Sequence, residues 1–421
     1  MGHAAGNGGE RRAAVTEKFD IAVVGPGPVG LLAALAFAAA GRRVCLVGPM
    51  PEGRDGRTAA LLAPSAEMLL ELGLWAGFAS HAAPMRRMRI VDDSGSLFRP
   101  PPVEFAAEEV GLEAFGWNIE NARLTAVLAA AVEADPRIAW RRVFLTDLTS
   151  PDRARLTLAD GTKLEADLVV AADGRRSRVR EAAGIEVRER RYPQTALTSI
   201  FRHERPHGDV STEFHRHAGP MTLVPMPGGA TPGWRSSVVW VTQPHHAKRL
   251  VALDGPAFAA AVEVACHRLL GAMEVDGPRG AVPLTSMKAT RFVGDRLALA
   301  GEAAHVLPPI GAQGLNLGFT DVATLRRLSA EGGDPGAPAL LARYDRARRA
   351  DVGLRALAVD GLNRSLLSGS PLIDAARGLG LGLLGRIGPL RRAVVRAGLP
   401  QPLRTSGAKP PRRSGLGSTG S

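Results

Sequence analysis

Phe19-Asp20-Ile21-Ala22-Val23-Val24 runs straight into Gly25-Pro26-Gly27-Pro28-Val29-Gly30, then an Ala- and Leu-rich stretch to Ala40, Gly41, and Arg43-Val44-Cys45-Leu46-Val47. The first run is short, apolar and β-branched, the signature of a buried parallel strand. The stretch after the glycines predicts a helix stopped by Gly41, and Arg43–Val47 a second strand, closing one βαβ unit. Gly25, Gly27 and Gly30 allow a tight turn and close backbone approach, and the helix start presents free N–H groups to a pyrophosphate. Pro28 at the first helical turn costs no hydrogen bond. A strand before and a helix after are the context this motif requires. An acid should end the second strand to hold a ribose hydroxyl, but Val47-Gly48-Pro49 stands there, leaving Glu52 and Asp55 as ribose contacts or solvated loop charges.

Working outward, Asp167 to Ala172 and Arg296 to Ala300 read as further buried strands, each leading into a glycine-bearing turn. The first turn is Asp173-Gly174, followed by Arg175, Arg176, Arg178 and Arg180; the second opens Gly301-Glu302-Ala303-Ala304-His305. Between them, residues 185–290 change character. Alternating segments such as Ser236-Ser237-Val238-Val239-Trp240-Val241, broken often by Pro and Gly, predict an inserted antiparallel sheet. The fold class is therefore α/β.

The chain has 421 residues, 45% of them hydrophobic, enough for a large core in two or three domains. Its net charge of +12 comes mostly from the end: nine basic residues and no acid follow Asp374, leaving +3 for the first 374 residues. That distribution argues against nucleic acid. The two cysteines, Cys45 and Cys266, form no CxxC pair, which fits a reducing cytoplasm and excludes a disulfide framework. No metal-binding cluster stands out. The apolar stretch from Val29 to Gly41 is too short for a bilayer. Residues 1–17 read as a disordered extension rather than a secretory signal.

Ten residues past Gly301-Glu302-Ala303-Ala304-His305 comes Gly311-Ala312-Gln313-Gly314-Leu315-Asn316-Leu317-Gly318, extending to Asp321. GxGxxG, a mid-chain DG, then G(D/E)AAH and GxQGxNxGxxD in that order resembles the FAD-dependent aromatic monooxygenases of the para-hydroxybenzoate hydroxylase fold. Within them, Arg57-Thr58-Ala59-Ala60-Leu61, Asn118-Ile119-Glu120-Asn121, Tyr192-Pro193-Gln194-Thr195-Ala196-Leu197, Gly219-Pro220-Met221 and Ser237-Val238-Val239-Trp240 are similar to the ubiquinone-biosynthesis hydroxylases. The likeness covers roughly residues 19–400, with Glu302 for the usual Asp and Gly48 for the usual acid as departures.

The resemblance implies a Rossmann-like FAD-binding domain with an inserted, mainly antiparallel β-sheet substrate domain and a C-terminal helical segment. The expected organisation is a tail over 1–17; a discontinuous FAD-binding domain over 18–80, 105–184 and 281–345; a substrate domain over 81–104 and 185–280; C-terminal helices over 346–402; and a basic disordered tail over 403–421. It also implies roles. Gly25, Gly27 and Gly30 hold the pyrophosphate; Arg57 lies near the ribityl and phosphate region; Glu302, after Gly301, bonds the ribityl hydroxyls. The segment from Gly311 through Gln313 brings the backbone of Gly314, Leu315 and Asn316 to the isoalloxazine edge. Asp173 and Gly174 touch flavin and meet the nicotinamide. Pro225, Val239, Trp240 and Pro308 are candidate substrate-pocket residues. No catalytic residue is certain, because the cofactor carries the chemistry. His305 is either a proton-transfer group or a core histidine, and Asp321 either a cofactor ligand or a locally bonded helix residue.

With FAD go NAD(P)H as co-substrate and O2 and an aromatic quinone precursor as reaction partners. The apolar and arginine-rich run Leu379 to Leu399 either lies on an anionic lipid surface, a peripheral site on the inner face of the membrane, or packs on the FAD domain. Two other functions stay open: hydroxylation of a soluble aromatic or polyketide, and a non-catalytic FAD-bound subunit of a quinone-synthesis complex.

Overall fold

A computed structural model describes residues 16–50, 56–95, 101–150, 152–229, 233–367, 380 and 388–398. Residues 1–15 and 403–421 of the two expected tails, Glu52, Asp55 and most of the run Leu379 to Leu399 lie outside the described residues, while Glu17, expected in the first tail, opens a strand.

The opening sequence forms strand β1 (Glu17–Val24), helix α1 (Pro28–Ala39) and strand β2 (Val44–Val47). β1 pairs in parallel with β2 on one side and with Lys163–Ala171 on the other; Ile138–Arg141 and Leu297–Leu299 extend the parallel sheet outward. A parallel sheet needs both faces covered. Accordingly α1 is buried continuously from Gly30 to Ala38, packed between the sheet and the helices Asn121–Ala134 and Gln313–Ser329.

The second layer is a nine-stranded sheet among the described residues. Its long strand Val187–His203 lies between Trp234–Thr242 and Gly280–Ala289, all antiparallel. Arg87–Asp92 and Val103–Ala106, from between β2 and Lys163–Ala171, join its far edge. Side chains alternate across a strand. On one face, Leu197, Phe201, Phe214, Met221, Leu223, Val238 and Trp240 form a core with the helices Pro244–Ala252 and Gly255–Ala265. The other face looks toward the parallel sheet, and a three-stranded ribbon, Thr58–Leu62, Gly116–Glu120 and Ala82–Pro84, joins the layers. Thr58 Oγ1 and Asn118 Nδ2 each donate to Ser237 Oγ at 3.0 Å.

The helix Pro338–Leu367 bridges the two bodies. Arg355 donates to Gln313 Oε1 at 3.1 Å, and eight residues on, about 12 Å along the helix, Asn363 donates to Gln194 Oε1 on the sheet face at 2.9 Å. The last described helix, Gly388–Gly398, folds back: Arg391 pairs with Glu109, Val395 joins Phe105 and Phe115, and the Gly398 carbonyl accepts from Arg355. Among the described residues no helix is long and apolar enough to cross a membrane.

Candidate active site

Three glycine-bearing turns meet at the ends of the parallel strands. Gly25 has φ +103°, and a Cβ there would sit 2.5 Å from the Ala172 carbonyl oxygen and 2.6 Å from Asp173 Cα. Only glycine lets the first loop rest on the Asp173-Gly174 turn. Gly30 allows α1 to start against that loop, since its Cβ would lie 1.8 Å from the Gly25 oxygen. From the other side, Gly301 and Gly318 close on Val29, with added Cβ atoms 3.1 and 2.6 Å from its Cγ2. Arg180, 5% exposed, clamps the second and third turns by donating from one nitrogen to the carbonyls of Arg175 and Ala303, both at 3.0 Å.

What the turns leave open matters equally. Around Gly27, which caps α1, and around Gly174 and Gly314, an added Cβ would meet no atom within 4 Å. The first-turn N–H groups of α1 and of the helix Gln313–Ser329 have no intrahelical acceptors, so two positive helix ends border open space. Asp173 accepts from the Val179 N–H at 3.2 Å through Oδ2, while its Oδ1 is buried with no hydrogen-bond partner among the described residues. Burial pushes its carboxyl above the usual range. Open glycine cradles, two helix starts and one orphaned carboxylate oxygen fit a ligand with a pyrophosphate, many hydroxyls and a polar ring edge, as FAD has.

The remaining expected residues are placed as follows. Arg57 is exposed and precedes the strand Thr58–Leu62, where its carbonyl accepts the Asn121 N–H. Glu302 is exposed on the one-turn helix Gly301–Ala303. Gly311 and Ala312 take left-handed φ values of +68° and +54° to turn the chain into the next helix. The Asn316 side chain faces inward: Nδ2 donates to the carbonyls of Ala60 and Ala312, and Oδ1 accepts from Leu62 N–H and Ser65 Oγ. It pins the helix start to the ribbon, leaving the N–H groups of Gln313, Gly314 and Leu315 to face outward.

The missing strand-end acid has a steric reason. Gly48 has φ +130°, and a Cβ there would come 2.8 Å from Pro26 Cδ. Pro26 in the first loop therefore excludes a side chain at 48. The Gly48 carbonyl instead accepts from Trp140 Nε1 at 2.9 Å.

His305 and Asp321 form a buried node. Asp321 accepts from His305 Nε2 at 2.7 Å, from the Gly301 N–H at 2.8 Å and from Arg348 Nε at 2.6 Å. Burial alone would raise the Asp321 carboxyl, but His305 and Arg348 outweigh it and hold it below the usual range. Both side chains of the His305–Asp321 pair are 0% exposed, so the node fixes the Gly301 turn from beneath.

The pocket candidates divide. Val239 is half-buried on the sheet face that looks toward the parallel sheet. Trp240, next along the strand, must point the other way, and it packs beneath the helix Pro244–Ala252 against His246. The expectation that Trp240 lines the pocket is corrected by that packing. Pro225, opposite Ser236, shares its facing, and its carbonyl accepts from Asn118. Pro308 is buried in the loop before the helix Gln313–Ser329. Neither tyrosine hydroxyl is idle: Tyr192 donates to Asp360 and Tyr344 to the Leu299 carbonyl.

Comparison with known proteins agrees with this geometry. The model of the FAD binding domain family matches residues 18–357. Ubiquinone hydroxylase UbiL of Rhodospirillum rubrum is 39% identical over 397 residues, covering 90% of this chain and 88% of that protein. The 3-demethoxyubiquinol 3-hydroxylase of Escherichia coli is 30% identical, over 90% of this chain and 98% of its own. The solved structure of p-nitrophenol 4-monooxygenase PnpA from Pseudomonas putida superposes with a TM-score of 0.71 at 20% identity, over 90% of this chain and 98% of that one. The chain belongs to the FAD-dependent monooxygenase family that contains the ubiquinone-biosynthesis hydroxylases.

Proposed function

We propose that this enzyme hydroxylates the ring of a polyprenylated phenol during ubiquinone biosynthesis, using NAD(P)H and O2. The observation that carries the substrate is the 39% identity to a ubiquinone hydroxylase over nearly the whole chain. FAD, when bound, supplies the reduction of O2 and the transfer of one oxygen atom to the ring. The protein's part is to bind, orient and exclude water. Gly25, Gly27 and Gly30 hold the pyrophosphate at the start of α1. Arg57 and Glu302 reach the ribityl chain, and Asp173 and Gly174 border both flavin and nicotinamide. The outward N–H groups of Gln313, Gly314 and Leu315 receive negative charge at the ring edge. His305 acts through Asp321 on the Gly301 turn rather than on substrate. Quinone profiling of a deletion strain tests this reading: a prenylated precursor lacking one ring oxygen accumulates and disappears on complementation, whereas an unchanged quinone pool contradicts it.

The same reading places the protein at a lipid surface, where such substrates reside. Leu354 and Leu357 are 69% and 71% exposed on the helix Pro338–Leu367, and Arg392 and Arg396 are exposed on the neighbouring helix. Apolar side chains beside cations suit anionic lipid. Co-sedimentation with anionic vesicles is expected at low salt and should weaken at high salt; no binding at either refutes it.

A further inference from the structure

The start of the helix Gln313–Ser329 has a cation where a helix start ordinarily has an acid. Free N–H groups make this end of a helix positive, and a carboxylate in the first turn or a capping side-chain oxygen usually offsets them. Here the first turn, Gln313-Gly314-Leu315-Asn316, holds no acid, and the cap position is Ala312, which has no side-chain oxygen. The charged group that reaches the helix start is Arg355 of the helix Pro338–Leu367. Its Nη1 donates to Gln313 Oε1 at 3.1 Å, and Gln313 Nε2 donates onward to the Gly311 carbonyl at 3.1 Å. A guanidinium beside a helix N-terminus opposes the helix dipole, so this arrangement costs stability unless negative charge arrives between them.

Arg355 is held there from behind. Its side chain is 11% exposed. Asp351 Oδ1 accepts from its Nε at 2.9 Å, and Asp351 Oδ2 accepts from Arg348 Nη1 at 2.7 Å. Arg348 in turn donates to Asp321, which accepts from the Gly301 N–H. The row Asp321, Arg348, Asp351, Arg355 thus alternates in sign and joins the Gly301 turn to the start of the helix Gln313–Ser329. Asp351 is divided between two arginines, so the end that meets Gln313 is the positive one. With little solvent around it, that charge is weakly screened.

We propose that Arg355 is a positioning residue that holds Gln313 at the helix start and, through it, biases this end of the flavin site toward a negatively charged ring. The inference rests on the reading that the outward N–H groups of Gln313, Gly314 and Leu315 face the isoalloxazine edge, and it adds a source of positive field beyond the helix itself. A fixed positive end costs no reorganisation when the ring takes up charge.

The test titrates the FAD-loaded protein with sulfite, which adds its electron pair to the oxidised ring and leaves the ring negative. The midpoint potential of the bound flavin is measured in parallel against a reference dye, and neither readout needs turnover. Arg355→Met should raise the sulfite dissociation constant about tenfold, the scale for one partly buried charge, and lower the two-electron midpoint by the equivalent, about 30 mV. Arg355→Lys, which keeps the charge, should recover most of the loss. Gln313→Met breaks the contact while Arg355 remains, so both readouts should shift the same way by a smaller factor, and it serves if Arg355→Met does not fold. Arg349→Met removes a 47% exposed cation from the same helix and should leave both readouts unchanged. An Arg355→Met sulfite affinity within about threefold of wild type, Arg355→Lys no better than Arg355→Met, no shift in Gln313→Met, or an equal shift in Arg349→Met overturns the proposal. If the shifts appear as expected while no prenylated phenol is hydroxylated by the wild type, the hydroxylase reading fails and the assignment of Arg355 stands.

Discussion

Gly25→Ala is expected to raise the dissociation constant for FAD by about a hundredfold or more. At φ +103° an alanine is strained, which costs about 1–3 kcal/mol. Its methyl would also overlap the Ala172 carbonyl, 2.5 Å away, in a contact with backbone that cannot rotate aside. Overpacking of that kind adds about 1–3 kcal/mol. Together these come to about 2–6 kcal/mol, a range whose middle exceeds the roughly 2.7 kcal/mol that a hundredfold change represents, and the loop relieves them only by lifting off the Asp173-Gly174 turn. Gly41→Ala is the control: its φ of +80° is strained too, but no atom lies within 4 Å of the added methyl. It should lose stability without losing flavin. Titration of both variants by flavin fluorescence decides; a Gly25→Ala affinity within threefold of wild type contradicts the account.

Arg348→Met should cost about 3–5 kcal/mol of unfolding free energy, the scale for stranding one member of a buried ion pair. Arg348 is 3% exposed and its partner Asp321 is 0% exposed, so no solvent reaches the carboxylate once the guanidinium is gone. The pH dependence follows from the direction of the Asp321 shift. Its folded pKa lies below the unfolded carboxylate value of about 3.9. The stabilisation is thus complete above that value and vanishes as pH falls through the lower folded one. Removing Arg348 takes away one of the groups that depress the pKa, so acid unfolding moves to higher pH. Urea unfolding followed by circular dichroism at pH 7 and in a series down to about pH 3, below the unfolded carboxylate value, measures both effects. A loss below about 1 kcal/mol at pH 7 would mean that the node is not a stabilising element.

The parts of the molecule that local chemistry dictates were legible in the sequence. β1, α1 and β2 follow from an apolar run, a glycine turn and a Gly stop, and the later strands end in turns the chain could form only with glycine. Alternation in the segment from Ser236 to Val241 identified a strand and required Val239 and Trp240 to face opposite ways. It could not say which face is covered, because the helices Pro244–Ala252 and Gly255–Ala265 that bury Trp240 are distant packing partners. The role of the Asn316 side chain was illegible for a similar reason. Its side chain reaches Ala60, Leu62 and Ser65, more than 250 positions away in sequence, and nothing local marks it as spent.

The arginines show the other limit. Arg180 and Arg348 sit in runs of basic residues, yet each is nearly buried and ties together separate turns. Their spacing against the buried periodicity of their helices was the available signal: Arg348 is four residues from buried Tyr344 and from buried Val352. The absence of the acid at Gly48 was visible from the start, whereas its cause, Pro26, becomes evident only when the two loops are side by side.

The most direct measurement is a titration of the folded, flavin-free protein with FAD, FMN and riboflavin, followed by absorbance and flavin fluorescence. Convergence of the three turns on one dinucleotide predicts one FAD bound per chain, with FMN and riboflavin far weaker because they lack the pyrophosphate bridge to adenosine that the start of α1 receives. A well-folded protein that remains colourless with FAD, or that binds all three flavins equally, would contradict it.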